Sequence, residues 1–155
     1  NVGGVTISST KIRNAILAGE FSKVNSYLSC NFSIKGRVVH GNNIGSSIGF
    51  PTANIEIEYP YKILPKNGVY AVKVFVEQQQ YFGMLNLGNR PSIVDDSFTI
   101  EVHIFNFNAT IYNQCLKIEF VQRIRDEKKF LDLEKLKYQL KIDEINCKHI
   151  FHLLR

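Results

Sequence analysis

Apolar and polar residues alternate with a period of two through most of the chain after residue 31, which is typical of half-buried β-strands. The clearest example is GVYAVKVFV at 68–76, where Val69 and its alternates lie on one face and Tyr70 and its alternates on the other. An Asn-Gly pair precedes this segment and a polar turn follows it, so we interpret it as a strand that enters a hairpin. The same alternation predicts further strands at 32–40, 53–58, 81–87, 98–105 and 114–122. The number and spacing of these strands favour an antiparallel β-barrel with some long loops.

Before the strands, the pattern changes to helical spacing. Ser8 or Ser9 can cap a helix whose apolar residues recur every three to four positions, and Gly19 is the expected end of that helix. A second short helix is predicted at 21–28. The N-terminal segment therefore differs in structure from the rest of the chain.

After the strands, one long helix is predicted. Asp132 is a good N-terminal cap, and Leu133, Leu136 and Leu140 form an apolar stripe that we expect to lie on the barrel. The helix is expected to end near Lys148.

Length and composition indicate a single globular domain with at most a short appendage. The chain has 155 residues, of which 45% are hydrophobic and 21% charged. No apolar run approaches the roughly 20 residues of a membrane span, and the N-terminus lacks the features of a signal peptide. The sequence therefore predicts a cytoplasmic protein with no membrane partner.

The three cysteines, Cys30, Cys115 and Cys147, are odd in number and far apart. This spacing indicates neither a disulfide framework nor a paired Cys-x-x-Cys metal site. We expect all three to be buried, reduced thiols.

The net charge of +5 permits nucleic-acid binding, but it is equally ordinary for an enzyme whose substrate carries phosphates. In the most basic region, 123–129, the basic residues alternate with Asp126 and Glu127. Such a mixture is typical of a solvated surface, so the sequence predicts no nucleic-acid partner.

The stretch GNNIGSSIGFPTAN at 41–54 has a glycine at every fourth position, namely Gly41, Gly45 and Gly49. It lacks the lysine of a Walker loop and the spacing of a dinucleotide fingerprint. Glycines permit positive backbone angles and a close approach of the main chain to a ligand, so peptide N–H groups could hold phosphate oxygens here. The alternative is a glycine-rich surface hairpin followed by an edge strand.

Thr52 and Asn54 are two residues apart, so on an extended strand they project to the same side. They would offer a hydroxyl and an amide oxygen to a hard cation such as Mg²⁺. Pro51 restricts Phe50 to extended geometry and can set the angle at which the loop becomes a strand.

In TIEVHIF, Glu101 and His103 alternate with apolar residues and therefore share one face of a strand. A glutamate in this position can orient and finally deprotonate an attacking hydroxyl. In phosphoryl transfer the transition state is loose, so positioning matters more than the strength of the base. The alternative is a polar pair that faces solvent.

Arg125 and Asp126 lie where the last strand leads towards the final helix. They could contact a polar heterocycle from this junction, or they could belong to an exposed turn.

In this order, these segments resemble the riboflavin kinase family, in particular the C-terminal module of bacterial bifunctional riboflavin kinase/FAD synthetases. The resemblance runs through GRVVHGNNIGSSIGFPTANIEI, LPKNGVYAVKV, MLNLGNRPSI, TIEVHIFNF and FVQRIRDEKKF. It implies a mainly β fold, a six-stranded antiparallel Greek-key β-barrel with a C-terminal α-helix. It also implies transfer of phosphate from ATP to the 5′-hydroxyl of riboflavin, which gives FMN and ADP.

The resemblance also implies roles for individual residues. Glu101 would be the catalytic base, and Arg125 and Asp126 would belong to a loop on the flavin side. Thr52 and Asn54 would bind the ATP phosphates together with Mg²⁺ or another divalent cation. The nucleotide would be covered by Gly41, Gly45, Gly49 and Phe50.

The N-terminal ISSTKIR resembles the closing motif of the FAD synthetase half of these bifunctional enzymes. Residues 1–29 are therefore expected to be a helical remnant of that domain, which packs on the barrel or is mobile, and 30–155 the kinase domain. FAD synthesis is not expected from this fragment, which should be a monomer. The partner in the full-length protein would be the N-terminal FAD synthetase domain.

Two departures from the family pattern are present. Ser46 stands where relatives usually carry Lys or Arg, and NFNATIYN at 106–113 replaces the usual Asp-Phe-x-Gly-Asp-Leu-Tyr-Gly. These departures leave open an alternative function, that of a non-catalytic flavin-binding or regulatory barrel. A basic barrel that binds nucleic acid is the weaker alternative.

Overall fold

The computed structural model describes residues 8–41, 44–58, 63–90 and 97–152. Its strands are β1 (Ser33–Val39), β2 (Ala53–Ile57), β3 (Gly68–Val76), β4 (Gln79–Arg90), β5 (Ser97–Ile104) and β6 (Cys115–Arg125). All neighbouring pairs are antiparallel, and the strands close into a barrel in the order β1-β2-β5-β4-β3-β6. This is the six-stranded barrel that was expected. The alternative of an edge strand after the glycines is wrong, because β2 pairs with β1 on one side and with β5 on the other.

Alternate residues of the strands fill the interior of the barrel. Val72, Val102 and Ile118, from three different strands, are all 0% exposed. Their neighbours in sequence face outwards, as the period of two predicts. The interior is therefore an apolar core, and polar side chains on these strands are directed to the outside.

Two N-terminal helices, α1 (Ser9–Ala18) and α2 (Phe21–Leu28), pack against one end of this core. Ser8 caps α1 by accepting a hydrogen bond from the Lys11 N–H at 3.2 Å, and Gly19 ends it in the left-handed conformation with φ 74°. Phe21 is 2% exposed and its ring lies 5.0 Å from that of Phe120 on β6. Of the two arrangements expected for this segment, the described part from residue 8 onward packs on the barrel.

The C-terminal helix α4 (Leu133–Ile150) lies on the outer face of the barrel. The Asp132 carboxylate caps it by accepting a hydrogen bond from the Lys135 N–H at 2.9 Å. Leu140 packs on the barrel, whereas Leu133 is 50% exposed. The expectation that Leu133 contacts the barrel is therefore wrong. Leu136 lines a cavity between the helix and the barrel, and the buried residues of α4 come later, at Asp143 and Cys147.

Only one of the three cysteines matches its prediction. Cys147 lies on α4 and is buried against the barrel, and this burial, with the charges of Asp143 and Glu144, raises its pKa to about 12. Cys30 and Cys115 are exposed, which corrects the expectation of buried thiols. Cys115 begins β6 on the outward face, so the alternation of that strand directs it to solvent.

Among the residues described, none of the helices combines the length and the apolar character needed to cross a membrane.

Candidate active site

A cavity of about 210 Å³ lies between the outer face of the barrel and α4. Its walls are mainly apolar and aromatic, with Phe50, Met84, Phe130 and Leu140 among them. Polar side chains enter it at a few points, and these are Thr52, Asn86, Glu101, His103, Arg125 and Lys128. A mostly apolar cavity with a few convergent polar groups is typical of a small-molecule site.

Three polar residues form a row across three neighbouring strands. Glu101 on β5 is paired with Asn54 on β2 and with Asn86 on β4. Directly opposed residues of antiparallel strands project from the same face, so all three side chains point to the outside of the barrel. The barrel thus holds the Glu101 carboxylate between two amides, at the level of the cavity.

Asn86 is a site residue that the sequence analysis missed. Its alternation with Leu85 and Leu87, which are 0% and 1% exposed, marks it as an outward polar residue. Its proximity to Glu101 becomes visible only once the pairing of β4 with β5 is known.

The glycine-rich segment folds back on itself through the short helix α3 (Ile44–Ser47). The Phe50 N–H donates to the Gly45 carbonyl at 2.8 Å, and Gly49 takes a φ of 87°. A Cβ at Gly45 would collide with the Phe50 carbonyl, and one at Gly41 with the Asn54 amide. Of the three glycines, Gly49 has the positive backbone angle, whereas Gly41 and Gly45 allow close approaches within the protein. Residues 42–43 of this segment lie outside the described part of the chain.

Arg125 and Asp126 occupy different environments. Arg125 forms part of the cavity wall, but its guanidinium is held by Asp143 of α4, with Nε–Oδ1 at 2.9 Å and Nη2–Oδ2 at 2.7 Å. Asp143 is itself 0% exposed and accepts a further hydrogen bond from Gln139. Asp126 does not line the cavity. It bonds to Arg123 at 2.7 Å on the surface, and that contact lowers the pKa of Asp126.

A second cavity, of about 180 Å³, lies on the other side of Thr52. Ser46 and Pro51 line it from the glycine-rich segment, and Phe107 and Tyr112 line it from the loop after β5. Thr52 lines both cavities. The Pro-Thr-Ala-Asn run therefore begins at the boundary between the two spaces.

The sequence profile of the Flavokinase family, described as riboflavin kinase, matches residues 28–151. The chain belongs to the riboflavin kinase family. It is 41% identical to the bifunctional riboflavin kinase/FMN adenylyltransferase of Haemophilus influenzae over 94% of this chain and 47% of that protein. The corresponding enzyme of Bacillus subtilis is 40% identical over 96% of this chain and 48% of that protein. The chain thus spans about half the length of the curated relatives that it matches.

Two solved structures share the fold of this chain. A crystal structure from Streptococcus pneumoniae, described as a macrolide-efflux protein, superposes with a TM-score of 0.90 at 37% identity and covers 94% of this chain and 48% of that one. The riboflavin kinase of Trypanosoma brucei superposes with a TM-score of 0.53 at 25% identity and covers 77% of this chain and 79% of that one. The barrel is therefore a riboflavin kinase domain.

One position of the 106–113 departure from the riboflavin kinase pattern has a clear backbone requirement. Asn113, which stands where the family motif ends in glycine, takes a φ of 68°. Asparagine tolerates the left-handed region better than most residues, so it suits this position in place of glycine. Tyr112 then stacks on His40, with the ring centroids 3.9 Å apart, beside the second cavity.

The oxygen ligands available near Thr52 fit a hard cation. Thr52 and Asn54 supply neutral oxygens, and Glu101, paired with Asn54, supplies a carboxylate. The described residues contain no group of three or more His, Cys, Asp or Glu side chains that could hold a metal ion. This donor set fits Mg²⁺, which retains waters and takes ligands from substrate phosphates.

Proposed function

We propose that this chain transfers the terminal phosphate of ATP to the ribityl 5′-hydroxyl of riboflavin, giving FMN and ADP. The observation that carries the proposal is the position of Thr52 between two cavities, with Glu101 lining the larger of them. A phosphotransferase must place its donor and acceptor on either side of the transferred group, and this arrangement provides two adjoining spaces.

The larger cavity is assigned to riboflavin. Its wall of Phe50, Met84, Phe130 and Leu140 suits a flat, mainly apolar ring system, and the ribityl chain would run towards Glu101. The smaller cavity is assigned to ATP, whose phosphates would reach Thr52 along the glycine-rich segment. Arg125 would form the flavin-side wall, and Asp126 would act from the adjoining loop if the loop closes on the ligand.

The Thr52 hydroxyl and the Asn54 amide oxygen would hold Mg²⁺, or another divalent cation, together with the ATP phosphates. The cation, when bound, neutralises negative charge on the transferred phosphate. The main-chain N–H groups of the segment with Gly41, Gly45 and Gly49 would contact the same phosphates.

Glu101 would accept the proton of the ribityl hydroxyl as that oxygen bonds to phosphorus and ADP leaves. Its strand position between Asn54 and Asn86 keeps the carboxylate in one place, which is what a loose transition state requires. Because positioning matters more than base strength in such a transition state, a carboxylate can serve as this base.

We further propose that residues 1–29 are the end of an FMN adenylyltransferase domain in a longer protein, with the kinase domain at 30–155. This proposal is supported by relatives that are bifunctional and about twice as long as the matched region. Without that domain the chain would phosphorylate riboflavin as a cytoplasmic monomer and would not make FAD.

The test is incubation of the chain with ATP, MgCl₂ and riboflavin, followed by chromatographic separation of FMN and coupled detection of ADP. The expected result is equal formation of FMN and ADP, abolished by EDTA. Ser46 favours one alternative, a barrel that binds flavin without turnover, because it removes a cation from the ATP side. Quenching of flavin fluorescence by a folded chain that consumes no ATP would support that alternative and refute the kinase.

A further inference from the structure

The main chain leaves the barrel ladder at Pro51, one residue before Thr52. Ala53 is still paired with Val102, but Pro51 has no N–H and cannot extend the ladder as a donor. The Pro51 carbonyl lies near the protein surface, where a side chain rather than a strand is its hydrogen-bond partner. That partner is the His103 ring, whose Nδ1 lies 2.7 Å from the Pro51 oxygen.

The contact determines which ring nitrogen carries the proton. A carbonyl oxygen can only accept, so Nδ1 of His103 must be the donor. The other nitrogen, Nε2, lies 3.8 Å from a Glu144 carboxylate oxygen of α4. His103 therefore spans from the Pro51 carbonyl to the C-terminal helix.

The His103 ring is itself firmly held. Its side chain is 12% exposed and lies between the rings of Phe50, at 5.4 Å, and Phe105, at 5.7 Å. Glu144 is in turn paired with Lys148 at 3.3 Å. A donor with so little freedom is a good anchor for a main-chain group.

We propose that His103 is a positioning residue for the phosphate side of the reaction, acting through the Pro51 carbonyl on Thr52. The carbonyl of Pro51 and the N–H of Thr52 belong to one planar peptide group. The hydrogen bond from His103 fixes that plane and, with it, the direction in which Thr52 presents its hydroxyl to the phosphates and their cation. This role rests on the proposed function, and it is distinct from that of Glu101, which would touch the reacting hydroxyl.

The proposal can be tested with three substitutions that differ in where they place a donor. His103→Asn puts an amide nitrogen near the position of Nδ1, so it can still reach the Pro51 carbonyl. His103→Gln puts its amide near the position of Nε2, towards Glu144, and His103→Ala has no donor. Glu144→Gln is the matched control, because it changes the contact with α4 and leaves the Pro51 contact in place.

The measurements are calorimetric binding of a non-hydrolysable ATP analogue with MgCl₂, riboflavin binding by fluorescence quenching, and thermal unfolding of each variant. We expect His103→Ala and His103→Gln to weaken nucleotide binding by roughly five- to tenfold, the effect of one oriented hydrogen bond. Riboflavin binding does not depend on the Pro51 contact, so any loss caused by removing the His103 ring from the larger cavity should be about the same in His103→Asn, His103→Gln and His103→Ala. His103→Asn should recover most of the nucleotide affinity, and Glu144→Gln should retain it.

Equal losses of nucleotide affinity in His103→Asn, His103→Gln and His103→Ala would overturn the proposal, as would riboflavin losses that follow the same order as the nucleotide losses. Either result would assign His103 a general packing role. Nucleotide affinity unchanged in His103→Ala would also refute it. If the variants follow the expected order while the unsubstituted chain forms no FMN, the positioning role stands and the proposed kinase reaction fails. If the unsubstituted chain forms FMN but the variants do not follow the expected order, the kinase reaction stands and the positioning role of His103 fails.

Discussion

The inner and outer faces of the barrel use the same strands for different purposes. On β5, Ile100 and Val102 are 2% and 0% exposed in the interior, while Glu101 and His103 line the cavity outside. The inner face is apolar and packs against the N-terminal helices at one end, whereas the outer face keeps an open space beneath α4. Successive residues of one strand therefore belong alternately to the apolar core and to the cavity wall.

The two regions meet at Arg123, near the end of β6. Gly19, where α1 ends, lies so close that a Cβ there would come within 2.7 Å of the Arg123 side chain. The Arg123 guanidinium donates to the Asn67 carbonyl at 2.6 Å and to Asp126 at 2.7 Å. The N-terminal helices are thus in contact with the residue that holds the start of the loop after β6.

Among the substitutions on the two faces, Glu101→Gln is expected to have the largest effect, and that effect should fall on activity rather than on stability. Loss of the proton acceptor should lower kcat by roughly 10²- to 10⁴-fold, the usual contribution of a general base. The unfolding free energy should not change, because the side chain lies outside the barrel core. The neighbouring Ile100→Val is the control, with a cost in stability of about 0.5–1.5 kcal/mol and an unchanged kcat. A Glu101→Gln variant with the turnover of the original chain would remove Glu101 from the mechanism.

Phe21→Ala should lower stability and leave kcat unchanged, which is the reverse of the result expected for Glu101→Gln. Phe21 is buried against the rings of Phe32, Tyr70 and Phe120, at 5.6, 5.5 and 5.0 Å. Its truncation should lower the unfolding free energy by about 3–5 kcal/mol, measured by urea denaturation. The molecules that stay folded should keep their kcat.

Phe21→Leu, which keeps most of the apolar volume, should cost less than Phe21→Ala. Unchanged stability in Phe21→Ala would mean that α2 is not part of the core. It would then support a domain boundary that leaves the kinase barrel independent of the N-terminal helices.

Local periodicity predicted the helices and strands well, but it does not indicate which strands pair with each other. The alternation around Glu101 and His103 predicted that they share one face of a strand, and in the structure that face is the outer one. Ser8, Gly19 and Asp132 marked helix ends correctly. The row that joins Glu101 to Asn86 depends on strand pairing, which no local pattern contains.

Long-range contacts explain the remaining differences. Arg125 lines the larger cavity, and its guanidinium is also held by Asp143, a contact 18 positions along the chain that no local pattern indicates. Leu133 was placed on the barrel by its spacing, but it is 50% exposed, and the buried residues of α4 are Asp143 and Cys147. Spacing indicates which residues share a face, and tertiary packing decides which part of that face is covered.

The smallest expected effect concerns Ser46, which lines the ATP-side cavity where relatives carry a cation. Ser46→Lys should strengthen ATP binding about two- to fivefold, since an exposed ion pair contributes about 0.2–1 kcal/mol. The gain should fade at about 1 M salt, where charges are screened within about 3 Å, while riboflavin binding stays constant. Ser47→Lys is the control, because Ser47 is exposed on the same turn and lines neither cavity.

Equal gains in the Ser46→Lys and Ser47→Lys variants would show a general effect of added charge. A gain confined to Ser46→Lys would locate the phosphates beside this residue. No gain in either would contradict the placement of the phosphates beside Ser46, and it would leave the main-chain N–H groups and the cation at Thr52 as the remaining phosphate contacts to test.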